Sequence, residues 1–232
     1  MHYAYFFILA FTLSYPLFKS FENKIQFYKK WGSLFPALII SAIFFIAWDI
    51  WFTSINIWTF NSKYIVGQFI AGLPIEEWLF FFITPFSCVF IHEVLIYFVK
   101  KDIFAKSAKY INTVLASLLL ILAIVYHERI YTFVDFMLLS IFLFIHQYIL
   151  RTNYLSRFYL TWLVCILPFL LVDGFITGLP IVMYNNLQNS NIRLFCIPIE
   201  DLSYSMLNIL FLITIYEYLK QRKANKKISQ TL

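Results

Sequence analysis

The chain has 232 residues, 62% of them hydrophobic, 22% aromatic and 13% charged, with a formal net charge of +6 and a mean hydropathy of +0.77. So few polar groups cannot cover a water-soluble globule, which leaves an integral membrane protein. Three cysteines (Cys88, Cys165 and Cys196) with no CxxC argue against a disulfide framework and are read as buried thiols.

Seven apolar segments are predicted as helices, at roughly 3–18, 35–53, 74–99, 110–126, 131–150, 158–175 and 198–219, most of them long enough to span a bilayer. Their apolar runs are continuous, not alternating, which excludes a β-barrel. The first segment has no basic n-region and no small-residue cleavage site between Leu13 and Lys19, so it is read as a retained helix. The second ends on Asp49-x3-Thr53, four residues apart and so on one face, with the threonine expected within hydrogen-bonding reach of the acid. A connection over 54–73 follows, in which Trp58, Phe60 and Tyr64 suit an aromatic cap at the membrane interface. Segment three opens with Pro74-Ile75-Glu76-Glu77-Trp78. Segment four is plain. Segments five to seven then repeat the pattern, with Asp173-x3-Thr177 and Pro198-Ile199-Glu200-Asp201 at a fixed offset of 124. Glu93 and Glu217, Asn61 and Asn185, and Ile57 and Ile181 share that offset, and eight of the twelve Asp and Glu occupy repeated positions. Carboxylates are costly near hydrocarbon and persist there mainly for function.

The fold expected is an all-α integral membrane bundle of seven helices. Two three-helix repeats, 1–105 and 129–232, are joined by a linking helix in 106–128. That odd helix restores the orientation, making the repeats parallel and bringing all repeated acids to one side of the bilayer. The connections 19–34, 100–109 and 151–157 and the C-terminal tail hold fifteen of the eighteen Lys and Arg. The N-terminus is therefore expected outside and the Lys-rich tail, Lys220–Lys227, cytoplasmic against anionic headgroups, with no nucleic-acid partner.

Pro74 followed by two acids is ordinary helix-start chemistry. Its recurrence in register beside a second repeated acid points instead to six carboxylates (Asp49, Glu76, Glu77, Asp173, Glu200 and Asp201) around one cleft. Asp49 and Asp173 also stand near helix C-termini, where the dipole disfavours an anion. Glu93 and Glu217 lie ~25 Å further along their helices and are expected to pair with Lys100 or Lys220. His92 and His146 are read as hydrogen-bonded bundle histidines. Asp135 has no counterpart at the common offset, because position 11 is Phe. Each acidic end has one Asp and few cations, so no metal site is expected, and no nucleotide or serine-hydrolase motif occurs.

Trp48-Asp49-x3-Thr53 with Pro74-Ile75-Glu76-Glu77-Trp78-Leu79-Phe80-Phe81-Phe82, echoed by Asp173-x3-Thr177 and Pro198-Ile199-Glu200-Asp201, resembles the membrane-integral, non-flavoprotein lycopene cyclase family in its fused two-domain form. The resemblance implies redox-neutral cyclisation of lycopene to γ- and β-carotene, without a cofactor, on a linear carotenoid taken from the membrane lipids. Association with other carotenoid-pathway enzymes is compatible with it. Protonating an alkene needs an acid kept neutral until used, which paired carboxyls in an apolar cleft provide. Aromatic faces would shelter the carbocation. On this reading Glu76 and Glu200 are the acids, while Glu77, Asp201, Asp49 and Asp173 share the base and pKa-setting roles. Trp48, Trp51, Thr53, Trp78, Phe81, Thr177 and Tyr204 line the substrate. The second copy departs from the first where Trp78-Leu-Phe-Phe-Phe becomes Leu202-Ser-Tyr-Ser-Met. A proton- or cation-coupled transporter is the alternative, since intramembrane acids near a pseudo-twofold also suit transport. A non-catalytic carotenoid binder is a third reading.

Overall fold

The computed structural model describes the backbone of residues 2–152 and 154–231, with side chains through Lys226; Lys227 of the expected basic tail lies outside the described side chains. Seven α-helices carry the described chain: α1 (Ala4–Lys19), α2 (Trp31–Ser54), α3 (Ile75–Phe98), α4 (Ala108–Val125), α5 (Ile130–Phe144), α6 (Leu155–Gly178) and α7 (Ile199–Thr231). All but α1 belong to stretches long and apolar enough to cross a membrane. The protein is thus an all-α multi-pass membrane bundle. Helix α7 runs well past the predicted end at 219, because the Lys- and Gln-containing tail consists of good helix formers.

The two long connections, expected only as loops, contain short strands: β1 (Trp58–Phe60), β2 (Phe69–Ile70) and β3 (Leu73–Pro74) in the first, β4 (Val182–Tyr184), β5 (Arg193–Leu194) and β6 (Ile197–Pro198) in the second. Pairs β2–β3 and β5–β6 are local hairpins, whereas β1 pairs antiparallel with β4 and ties the two repeats together. At the first hairpin tip Ala71 and Gly72 both have positive φ, 52° and 84°, as a tight two-residue turn requires.

The repeats answer each other bond for bond. Asn61 N–H donates to the Ile181 carbonyl at 2.9 Å, and Asn185 N–H to that of Ile57 at 2.8 Å. Helix α2 packs on α7 and its counterpart α6 packs on α3, with α3 and α7 meeting at the centre. Helix α4 lies outside this arrangement against α5, held by polar bonds such as Asn112 Nδ2 to the Leu143 carbonyl at 2.9 Å.

Candidate active site

Each acidic pair begins a helix at the end of a hairpin. Ile75 N–H closes onto the Gln68 carbonyl and Ile199 N–H onto that of Ile192, both at 3.0 Å, so the hairpin fixes where the helix starts. The first-turn acids then divide. Glu76 Oε1 accepts the Val66 N–H at 2.7 Å, and Glu200 Oε1 accepts the Ser190 N–H at 2.6 Å and the Thr132 hydroxyl at 2.5 Å. Both side chains are fully buried against their own loops and do not line the central cavity. The expectation that all six acids face one cleft is corrected to four. Consecutive helical residues point about 100° apart, so only one member of each pair can face the twofold axis, and loop amides engage the other.

Glu77, Asp201, Asp49 and Asp173 line one largely apolar cavity of about 400 Å³. Tyr5 O–H donates to Glu77 Oε2 at 2.6 Å, and Tyr131 O–H to Asp201 Oδ1 at 2.5 Å. Beyond these matching bonds the halves differ. Asp49 Oδ1 accepts the indole N–H of Trp58 at 2.5 Å, whereas the counterpart of Trp58 is Val182. Asp201 Oδ2 accepts a second phenol, Tyr184, at 2.8 Å, whereas the counterpart of Tyr184 is Phe60. Asp173 faces the same cavity, and its buried Oδ2 has no hydrogen-bond partner among the described residues. Burial first, then the neighbouring Asp201 and Asp173, pushes the Tyr184 phenol well above its ordinary value and keeps it a donor.

Of the expected substrate-lining residues, Phe81 and Tyr204 face the cavity. Trp48 is buried behind Tyr204, ring centroids 5.0 Å apart. Trp51 is 47% exposed on the outside of α2, and Trp78 Nε1 donates to the Ile70 carbonyl at 3.1 Å, bracing the hairpin. Thr53 Oγ1 has no partner among the described residues, and Thr177 Oγ1 donates to the main-chain carbonyl of Asp173 at 2.7 Å, not to its carboxyl. These five do not line the cavity.

Four residues that do were not anticipated there: Tyr5, Tyr131, Tyr184 and Trp58. Trp58 is a buried donor to Asp49 and not an interfacial cap. Asp135, unexplained in the sequence, is wholly buried one layer beneath the second acid pair, where it accepts the Ser203 hydroxyl.

At the opposite end Glu93 accepts Tyr216 O–H at 2.6 Å and Lys220 Nζ at 2.7 Å, and also binds Lys30. Glu217 takes Lys220 at 2.8 Å, while Lys100 lies over the Tyr97 ring. His92 Nδ1 meets Thr161 Oγ1 at 2.7 Å, and His146 is held between Thr152 and Thr214 at 3.0 and 2.9 Å. Among the described residues, no three His, Cys, Asp or Glu are grouped to share a metal ion.

A family model described as lycopene cyclase matches residues 2–95 and 128–219, one stretch in each repeat. No curated protein and no solved structure matches the chain.

Proposed function

This chain belongs to the lycopene cyclase family, and we propose that it closes β-rings on the linear ends of lycopene, giving γ- and then β-carotene by acid catalysis. The observation carrying this reading is one apolar cavity that gathers carboxyls from both repeats, Glu77 and Asp49 from the first, Asp201 and Asp173 from the second. Such a site offers both an acid and a base to an uncharged hydrocarbon, with the carboxyls of the other repeat facing the same space.

The chemistry is balanced without a redox partner. A carboxylic acid adds its proton to the terminal alkene, leaving a tertiary cation. The internal double bond attacks that cation, forming the ring bond and moving the charge into the ring. A carboxylate removes the adjacent ring proton and restores an alkene. One proton enters and one leaves. Both oxygens of Asp201 already accept phenols, which suits a carboxylate, whereas Asp173 Oδ2 has no donor among the described residues to hold it charged, so the proton is assigned to Asp173. Asp173 is accordingly the proposed acid and Asp201 the proposed base. Glu77 and Asp49, fixed by Tyr5 and Trp58, face the same space, and the negative charge that the pair carries stands near the cation. Phe80, Phe81 and Tyr204 supply π faces. Glu76 and Glu200 are positioning residues that fix the hairpins. The excess of Lys and Arg in the other connections supports an outer location for the acid end, with the N-terminus outside and the tail cytoplasmic.

The test is expression in a lycopene-accumulating bacterial host with chromatographic separation of the pigments. Wild type should yield γ- and β-carotene. Asp173→Asn and Asp201→Asn should each lower conversion by about a hundredfold or more, the scale of lost general acid–base catalysis. Glu76→Gln and Glu200→Gln keep an oxygen for the loop amides and should stay within about tenfold, a loss of up to ~1.4 kcal/mol. Unchanged lycopene with well-inserted wild-type protein would overturn the reading.

A further inference from the structure

We infer that the linear carotenoid reaches the carboxyls through a single lateral groove between α1, α3 and α6, its symmetry-related twin being filled by aromatic side chains. The inference rests on the carotenoid reading above and adds where the polyene lies and how many entrances it has.

The cavity does not end at the acids. It continues along α1 as far as Pro16, along α3 to Ile91 and back along α6 to Trp162. From Glu77 to Ile91 is ~21 Å of helix, and from Asp173 to Trp162 ~16 Å, against a hydrocarbon core of about 30 Å. Its flank between α1 and α6 opens sideways: Phe11, Tyr15 and Leu171 line it and are 75%, 64% and 56% exposed. An uncharged chain entering from lipid would meet largely apolar surface on its way to Glu77 and Asp173.

The pseudo-twofold should generate a second such groove between α5, α7 and α2. Side chains block it. Where the groove has Ser87, the twin has Phe211; for Pro168 it has Phe44, for Val172 Trp48, and, at the offset of 126 by which Tyr131 answers Tyr5 in the first helices, for Pro16 Phe142. Phe211 stacks on Phe44 at 5.1 Å and packs on Phe142 at 5.7 Å, while Trp48 closes on Tyr204 at 5.0 Å. At each of these pairs the open side has the smaller residue. Pro16, Pro85 and Pro168, all helix-interior prolines, line the groove, and none has a proline counterpart. Each proline removes a helical hydrogen bond and loosens the wall at that point.

One entrance feeding one set of acids admits one end of the molecule at a time. The test installs the twin's residues in the groove, as Ser87→Phe and Val172→Trp, with Phe44→Ala in the filled twin as the matched control. Lycopene retained per purified protein is measured by absorbance, beside the cyclised product. Both groove variants should lose at least tenfold in retention and in product, and Phe44→Ala should stay within twofold. Ser87→Cys, nearly isosteric, gives a reading independent of bulk. A lipid-soluble maleimide should modify it, peptide mapping locating the adduct, and lycopene should protect it. Full retention in both bulky variants, or no protection of the cysteine, overturns the groove. If wild type retains and protects but makes no cyclic product, the groove stands and the cyclase reading falls. If the plugged variants cyclise at the wild-type rate, the reverse holds.

Discussion

Thr59 pairs with Met183, and each is the other's counterpart in the two repeats. In an antiparallel ladder a residue meets its own symmetry mate only where a twofold axis passes through the pair. The β1–β4 ribbon therefore marks the axis, and Glu77 with Asp49 and Asp201 with Asp173 converge below it from opposite repeats. The strands that join the repeats also close the acid end of the cavity, since Trp58 and Tyr184 in this ribbon both donate to its carboxyls.

That register predicts a cross-link. Facing residues in an antiparallel pair have Cα atoms about 4.5–5.5 Å apart, inside the ~4.4–6.8 Å a disulfide needs. Thr59→Cys with Met183→Cys, in a chain cleared of Cys88, Cys165 and Cys196, should oxidise within one molecule. A protease cut in the 100–109 connection would then leave the halves joined on a non-reducing gel and separate on a reducing one. Halves that separate without reductant would disprove the pairing.

Tyr184→Phe should slow cyclisation by about tenfold while leaving the fold intact. Asp201 loses one of two donors, and a hydrogen bond to a charged group contributes ~1.5–3 kcal/mol. Tyr131 remains at 2.5 Å, so the lower end applies, and ~1.4 kcal/mol is tenfold in rate. Phe60 shows that a ring without hydroxyl fits the equivalent place. The pH response follows from sign. Burial, then Asp201 and Asp173, raises the Tyr184 pKa well above the ordinary phenol, so its O–H persists beyond pH ~10. Wild type and Tyr184→Phe should therefore lose activity in parallel on the alkaline side. An alkaline limb present only in wild type would assign that titration to Tyr184.

Much of this site was legible because the stretch from α2 through the hairpin to the start of α3 has the same length as that from α6 to the start of α7, so a constant offset of 124 aligned the acids at both helix ends. The first helices break that constancy. Tyr5 and Tyr131 make the same bond to Glu77 and Asp201 but lie 126 apart, which hid them from the repeat and left Asp135 facing Phe11 when its true counterpart is Leu9. Glu76 and Glu77 are equally repeated, and only the loop amide at Val66 decides which turns outward. The i,i+4 spacing of Asp173 and Thr177 suggested a carboxyl bond, yet a helical threonine reaches its own i−4 carbonyl more directly. Trp58 read as interfacial because nothing local indicates that its loop folds inward.

Glu93→Gln should lower stability without changing the products. The side chain of Glu93 is 1% exposed and serves Lys30, Lys220 and Tyr216 at once. Removing its charge leaves two lysines facing a neutral amide. Breaking a sealed pair costs ~3–5 kcal/mol; here Lys30 and Lys220 keep 32% and 35% of their side-chain surface, so about 2 kcal/mol is expected. A melting point lowered by several degrees with an unchanged γ- to β-carotene ratio is the predicted result. A shifted ratio would show that the basic end communicates with the acids.

A single groove also sets the order of products. With one open flank and one set of acids, a molecule whose first end has cyclised must withdraw and present its other end through the same opening. The filled twin, where Phe211 stacks on Phe44, offers no second way in. The monocyclic product is then a free intermediate that competes with lycopene for re-entry. In a time course γ-carotene should rise first and β-carotene follow after a lag. Labelled lycopene chased with excess unlabelled lycopene should leave its label trapped in γ-carotene. Labelled β-carotene forming without a lag and undiminished by the chase would mean that both ends close during one residence. That outcome requires a second path to the acids, which the aromatic plug denies.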